Sequence, residues 1–262
     1  MRHNDYIFCF GVNHLMKNIR KLLCVILSIA ALLCCCVSAS AAEPKATTVG
    51  VLTIFSSAGG GSSSFSTSGH AFLSFKNTSA QQIKIGGLNV NPGHEITFGT
   101  WGTKPAGYTI EPDVKWHKGI WYDLEAYLIN YDNDLSDRVS LSINITMDDV
   151  QNINLIISIC DYWSLKENCS TFASAIWNYI APNNLDLSAG SPNTPTSLSK
   201  NIKNKSGYQT KRAVMNITPI GYVNSNGSFV SITLNCQGGH GSTGGIHRSR
   251  PYNYTPNTLE VA

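Results

Sequence analysis

Charged side chains are scarce in this sequence, at 13% of 262 residues, and no internal repeat, heptad pattern or collagen period is visible. With 42% hydrophobic residues, the chain is too apolar and too poor in charge for an intrinsically disordered protein. The missing periodicities exclude coiled coils and collagen-like fibres. The length is sufficient for one globular domain with a sizeable hydrophobic core.

Positive charge is not in excess outside the first 41 residues. The formal net charge is +3, but residues 1–41 hold four of the 19 basic residues and one of the 16 acidic residues. The rest of the chain therefore carries 15 residues of each sign. Because nucleic-acid binding depends on clustered Lys and Arg, this balance predicts no nucleic-acid partner.

Residues 1–41 are typical of a secretory signal peptide. Basic residues at 17–21 precede an apolar run at 22–37, and residues 39–41 form a small-x-small cleavage site. The apolar run is shorter than the roughly 20 residues of a membrane-spanning helix, although a retained anchor is the alternative. We expect a secreted, extracellular or cell-envelope protein that begins near Ala42 and has no membrane association after signal removal.

The order of predicted elements indicates an α+β fold. Strands are predicted from β-branched or alternating apolar runs at 47–56, 69–75, 82–85, 89–90, 95–101 and 138–145. Two amphipathic helices are predicted next, one from Thr146 to Cys160 and one from Asn168 to Ile180. The run at 119–129 fits either a strand or a helix. Strands followed by helices favour α+β over a doubly wound sheet.

The C-terminal part of the chain predicts less regular structure. Residues 185–208 are rich in Ser, Asn, Pro and Lys, and Pro192 and Pro195 are expected to act as breakers. We therefore place the main domain at 42–212. Residues 213–262 are expected to form a β-hairpin followed by a Gly-rich tail without core-forming periodicity.

Three cysteines lie outside the predicted signal peptide: Cys160, Cys169 and Cys236. Three cannot all pair within one chain, and a disulfide between Cys160 and Cys236 is one arrangement that leaves Cys169 free. Cys169 lies at the start of a predicted helix, where backbone N–H groups and the helix dipole favour the nucleophilic thiolate. The neighbouring Asn168 is a candidate for oxyanion binding or positioning.

His70 is the candidate general base for this thiol. It opens a predicted strand and directly follows a Ser- and Gly-rich segment at 57–68, so it is expected at a sheet end beside an accessible cleft. An ordinary strand-end histidine is the alternative interpretation. His94 and His117 lie in a turn and in a charged loop, and we expect both to be solvated.

The sequence predicts no metal and no cofactor. One cysteine and two histidines lie near one another close to the C-terminus: Cys236, His240 and His247. Their spacing differs from that of zinc fingers, and a fourth ligand is missing.

Aromatic side chains are concentrated between residues 101 and 131. Such rings suit sugars or glycopeptides, and they suit a hydrophobic core equally well. Core packing is expected for most of them. Tyr108 and Trp116 are expected to be the more exposed ones because Lys, Pro or Gly residues lie beside them.

Three motifs together resemble the circularly permuted branch of the NlpC-type, papain-like cysteine hydrolases. They are GHAFLSF at 69–75, TFGTW at 97–101, and NCSTFA at 168–173 followed by Trp177. In that branch the histidine strand precedes the cysteine helix, the reverse of ordinary papain order. The likeness covers roughly residues 47–182.

The resemblance implies an antiparallel β-sheet packed against helices, with Cys169 as the nucleophile and His70 as its base. It also implies a polar orienting residue on a strand beside the histidine strand. The sequence leaves that residue open among three candidates: Gln82, Glu95 and Thr97.

The resemblance and the export signal together imply a function. We expect a secreted cysteine peptidase or amidase, acting as a monomer, that cleaves amide bonds in bacterial peptidoglycan stem peptides or related cell-wall peptides. A lipid acyl hydrolase or transferase of the same fold is an alternative. A non-catalytic cell-wall-binding module is another.

Overall fold

A computed structural model describes residues 47–59, 69–106, 108–110, 114–132, 135–215 and 218–236. The predicted signal peptide, most of the Ser- and Gly-rich segment and the Gly-rich tail lie outside these residues. No helix within the described ranges has both the length and the apolar character needed to cross a membrane.

Twelve strands are present in the described part of the chain. They are β1 (Gly50–Ser57), β2 (His70–Asn77), β3 (Ile83–Ile85), β4 (Leu88–Val90), β5 (Glu95–Trp101), β6 (Tyr108–Thr109), β7 (Gly119–Tyr122), β8 (Val139–Ile145), β9 (Gln209–Thr210), β10 (Gly221–Val223), β11 (Phe229–Ser231) and β12 (Asn235–Cys236). Eight of them form one sheet in the order β11-β10-β7-β5-β2-β1-β8-β9, and every neighbouring pair is antiparallel. Two small antiparallel pairs, β3 with β4 and β6 with β12, stand apart from it.

Four α-helices in the described ranges cover the two faces of this sheet: α1 (Leu124–Asp132), α2 (Met147–Ile159), α3 (Cys169–Ile180) and α4 (Pro195–Lys203). Apolar side chains of α2, α3 and α4 form one core with the first face. On the opposite face, Ala126 and Ile129 of α1 pack with Phe55 and Phe72. The predicted α+β class and its large antiparallel sheet are therefore confirmed.

Capping residues set the starts of α2 and α3, as the sequence predicts. Thr146 and Asp149 form a capping box, in which each side chain bonds to the backbone N–H of the other residue. The side chain of Asn168 accepts hydrogen bonds from the N–H groups of Ser170 and Thr171. Donors that would otherwise be unpaired in each first turn are thereby satisfied.

The irregular segment expected at 185–208 contains a helix, so that part of the prediction is wrong. Thr194 caps α4, and Pro195 occupies its first turn, where the missing N–H costs nothing. Leu198 and Ile202, one turn apart, are fully buried against the sheet. Pro195 therefore starts a helix and does not break one.

The ambiguous run at 119–129 contains both a strand and a helix. It begins as β7 and continues as α1, with Asp123 between them at a positive φ of 53°. The predicted C-terminal hairpin is present as β10 and β11, and β10 pairs with β7. Tyr108 was expected to be exposed, but it is buried in a cluster with Trp101 and Trp121.

Candidate active site

The candidate site lies at one end of the main sheet. His70, the first residue of β2, pairs with Ser57 at the end of β1. Trp101, the last residue of β5, pairs with Gly119 at the start of β7. The rings of His70 and Trp101 are in contact, with centroids 4.0 Å apart. Strand ends therefore bring these side chains together where α3 begins.

The structure brings His70 and Cys169 close enough for each side chain to shift the pKa of the other. Cys169 is the first residue of α3, which packs on β2 and β5. Both side chains are buried, His70 at 5% exposure and Cys169 at 9%. The two residues that the sequence singles out as base and nucleophile are thus neighbours in a largely water-excluded site.

The ionisation of this pair favours a thiolate facing an imidazolium. Burial opposes the charged ring, but the Cys169 sulfur and the Glu125 carboxylate outweigh it and raise the pKa of His70 to about 9. Burial also opposes the thiolate, but the charge of His70 and hydrogen bonds from His70 and the Ala71 N–H lower the pKa of Cys169 below its usual range. A thiolate is the form of cysteine that attacks carbonyl carbon.

Glu125 completes the array, and sequence reasoning did not identify it. Its fully buried carboxylate lies on the first turn of α1. Oε1 is 3.0 Å from His70 Nε2 and accepts a 2.7 Å hydrogen bond from Trp101 Nε1, while Oε2 accepts one of 3.0 Å from Thr97 Oγ1. Because Nε2 faces the carboxylate, Nδ1 is the ring nitrogen available to Cys169.

The three sequence candidates for the orienting residue occupy other positions. Thr97 contacts the carboxylate of Glu125, so it supports the orienting group and does not act on the histidine ring itself. Glu95 is paired with Arg212 through a 2.7 Å contact. Gln82 is exposed and bonds to Asn91. The signal that could have found Glu125 is an acid inside an apolar run, since a buried carboxylate requires partners.

Asn168 holds the helix start and has little left to offer an oxyanion. Its Oδ1 atom accepts from Ser170 and Thr171, and its Nδ2 atom donates to the carbonyl groups of Leu165 and Asn193. The backbone N–H of Cys169 is one of the first-turn donors of α3 that have no acceptor within the helix. That N–H, at the positive end of the helix dipole, is the better candidate donor to an oxyanion.

Asp123 fixes the turn that delivers Glu125. Its Oδ1 accepts a 2.8 Å bond from the Thr97 N–H, and its Oδ2 accepts from the N–H and the hydroxyl of Thr218. Burial raises the pKa of Asp123 to about 7, although these hydrogen bonds act in the opposite direction. The turn therefore links β5, α1 and the segment before β10.

Gly99 leaves the space that the carboxylate occupies. A Cβ at this position would lie 2.6 Å from Glu125 Oε1, 3.0 Å from Phe72 Cβ and 3.4 Å from His70 Nε2. We therefore expect Gly99→Ala to displace Glu125 from His70 and to lower the alkylation rate of Cys169 at pH 7 by about tenfold.

The matched control for this substitution is Gly93→Ala. Gly93 has a positive φ of 78° and no atom within 4 Å of an added Cβ, so this change strains the backbone far from the site. Alkylation kinetics and thermal unfolding of both variants separate the two effects. Equal alkylation rates in the two folded variants would show that Gly99 has no special relation to the site.

Both cysteines whose side chains are described, Cys160 and Cys169, are free thiols. Among the described side chains, Cys160 takes part in no disulfide. Burial and the neighbouring Glu167 raise the pKa of Cys160. The pKa of Cys160 is thus shifted in the opposite direction to that of Cys169, and the Cys160 thiol serves as an internal reference in labelling experiments.

No three His, Cys, Asp or Glu side chains cluster as a metal site within the described ranges. Comparison with protein-family models found no match, and searches of curated proteins and of solved structures also found none. The function of this chain is therefore inferred from the chemistry of its own residues.

Proposed function

We propose that this protein is an exported thiol hydrolase that cleaves amide bonds, with the permuted NlpC-type, papain-like arrangement. Cys169 is the nucleophile, His70 the general base and acid, and Glu125 the residue that orients the ring. The observation that carries the proposal is the buried array in which Cys169, at the start of α3, interacts with His70, and His70 Nε2 lies 3.0 Å from Glu125 Oε1. A histidine strand that precedes the cysteine helix, on an antiparallel sheet, supports the permuted arrangement.

In the proposed cycle, the Cys169 thiolate attacks the amide carbonyl carbon and forms a tetrahedral oxyanion, to which the Cys169 N–H donates. The His70 imidazolium gives its proton to the amide nitrogen as the C–N bond breaks, and the amine departs. His70 then takes a proton from water, which attacks the thioester. Cleavage of the C–S bond releases a carboxylic acid and restores the thiolate.

Glu125 has two effects in this cycle. Its negative charge favours the protonated ring, and its contact with Nε2 keeps Nδ1 directed at the sulfur. Because the carboxylate is itself held by Trp101 and Thr97, it stays in place while the proton moves. An intact orienting carboxylate favours a working catalyst over a binding module that has lost its chemistry.

We propose peptidoglycan stem peptides, or related cell-wall peptides, as substrates. The predicted export signal at 1–41 would bring the protein to the cell envelope or beyond it, where such peptides occur. The resemblance to NlpC-type hydrolases favours the same substrate class. An experiment distinguishes the proposed peptidase or amidase from the two alternatives, which are a lipid acyl hydrolase or transferase and a non-catalytic binding module.

Digestion of purified peptidoglycan by the exported protein and by its Cys169→Ala variant tests this proposal. We expect soluble fragments with new amine and carboxyl ends, identified by mass, from the unmodified protein alone, because the variant lacks the attacking sulfur. Phospholipid vesicles treated in parallel report on acyl chemistry. Cys169-dependent release of fatty acid, or binding to peptidoglycan without any cleavage, would replace the proposed function by one of the alternatives.

A further inference from the structure

A cleft of about 510 Å³ lies outside the catalytic array. It is lined by Lys115, Trp116, His117, Lys118 and Tyr222. Both lysines are exposed, and neither forms an ion pair with a described residue. Glu111 and Asp113 precede this segment in the sequence and lie outside the described residues. The cleft therefore combines two available ammonium groups with aromatic walls.

The walls of the cleft are held rigidly. The ring of Trp116 stacks on Trp121 at 4.1 Å, and Trp121 Nε1 donates a 2.9 Å hydrogen bond to the His117 carbonyl. His117 was expected to be solvated, but its ring stacks on Tyr222 at 4.5 Å, and its Nε2 lies 2.8 Å from Asp161 Oδ1. The same carboxylate oxygen accepts from the Ile120 N–H. A site fixed in this way loses little conformational freedom when it binds a ligand.

The two lysines set the ligand chemistry of the cleft. The side chains of Lys115 and Lys118 are exposed, whereas the indole N–H of Trp116 is buried, with no acceptor among the described residues, and is not open to a ligand. Two cations beside aromatic rings favour an anionic ligand that has an apolar part, and a carboxylate is the anion that a peptide supplies.

The cleft adjoins the catalytic array across two strands. Lys118 directly precedes Gly119, which pairs with Trp101, and the ring of Trp101 contacts His70. Two strand spacings correspond to about 10 Å. An extended peptide covers this span in about three residues.

We propose that this cleft is a substrate subsite, which rests on the proposed function, and that it binds a carboxylate about three residues from the amide bond at Cys169. The carboxylate oxygens lie against the ammonium groups of Lys115 and Lys118 and accept hydrogen bonds from them. The neighbouring aromatic rings contact the apolar part of the same segment. The protein therefore selects cell-wall peptides whose side-chain or terminal carboxylates are free over those in which they are amidated.

Binding to the full-length exported Cys169→Ala protein tests the subsite without turnover. The probes are soluble muropeptides with free carboxylates and the same muropeptides after chemical amidation, titrated by calorimetry at low salt. We expect Lys115→Gln with Lys118→Gln to raise Kd for the acidic probe about tenfold. The matched control, Lys84→Gln with Lys200→Gln, removes the same charge elsewhere and leaves Kd unchanged. Binding of the amidated probe is weak and insensitive to all these changes.

Kinetics of the protein with Cys169 intact separate the two proposals. If both probes are cleaved with equal KM and the lysine pair has no effect, the subsite is wrong and the hydrolase stands. If the acidic probe binds through the lysines but is never cleaved, the hydrolase is wrong and the binding site stands. Absence of both binding and cleavage overturns both.

Discussion

Replacement of His70 by asparagine is expected to lower amide hydrolysis by roughly a thousandfold or more. The ring supplies the proton to the leaving amine and removes one from water, and no other described titratable group contacts the Cys169 sulfur. Initial rates of hydrolysis of a peptide substrate measure the loss of activity, and the Cys169→Ala variant gives the background rate. A decrease of less than about tenfold would show that His70 is not the acid and base.

The same substitution is expected to change the reactivity of the thiol. A cysteine with an ordinary pKa of 9.0 is about 1% thiolate at pH 7, and burial without a counter-charge reduces this further. Alkylation of Cys169 at pH 7 therefore falls about a hundredfold in His70→Asn. Peptide mapping by mass distinguishes Cys169 from Cys160, whose rate remains unchanged and serves as the reference.

The pH dependence of hydrolysis follows from the same pair. Activity disappears at low pH as Cys169 becomes protonated, and this limb lies below the ordinary thiol range because the pKa of Cys169 is lowered. Activity also falls as His70 loses its proton near pH 9, since the neutral ring cannot protonate the leaving amine. The resulting profile is bell-shaped, with an acid limb below the ordinary thiol range and a basic limb near pH 9.

Replacement of Glu125 by alanine is expected to destabilise the protein by about 3 kcal/mol or more, beside its effect on activity. Three buried donors, His70 Nε2, Trp101 Nε1 and Thr97 Oγ1, would lose their common acceptor, and each unsatisfied group costs about 1–3 kcal/mol. Such a loss is a large share of the stability of an ordinary domain. Urea unfolding followed by fluorescence measures it.

Glu125→Gln separates the charge from the packing. The amide oxygen can accept from His70 and Trp101, while the amide nitrogen donates to Thr97 Oγ1 after the hydroxyl rotates. We therefore expect the free energy of unfolding to stay close to that of the unmodified protein. The basic limb of the pH–activity profile is expected to move below pH 9, and activity is expected to fall about ten- to a hundredfold. An unchanged basic limb would contradict an electrostatic effect of Glu125 on His70.

Local sequence signals were sufficient to predict the helices that begin with a capping side chain. At the start of α2, Thr146 and Asp149 satisfy the free backbone donors, and Asn168 does the same at the start of α3. The sequence could therefore predict both helices and the residues at which they begin. The same capping signal is present at the start of α4, where Thr194 precedes Pro195. The helix was not predicted because the surrounding residues are rich in Ser, Asn, Pro and Lys, which is typical of irregular structure. A proline counts as a breaker only after the first turn.

Glu125 could not be assigned from sequence because its role depends on tertiary placement. It reaches His70 only because the chain reverses at Asp123, with a positive φ, and sends α1 back across the opposite face of the sheet from α3. A short apolar run does not reveal such a change from strand to helix. Cys169 and His70 were found because a helix start and a strand end are local features.

The proposed mechanism requires that Cys169 is a thiolate at neutral pH because it faces the His70 imidazolium. Thiolate absorbance near 240 nm, taken as the difference between the unmodified protein and Cys169→Ala across pH 4–10, measures this directly. We predict a midpoint below the ordinary value of 9.0, because the charge of His70 lowers the pKa of Cys169. A difference signal that appears only at or above pH 9 would contradict the account.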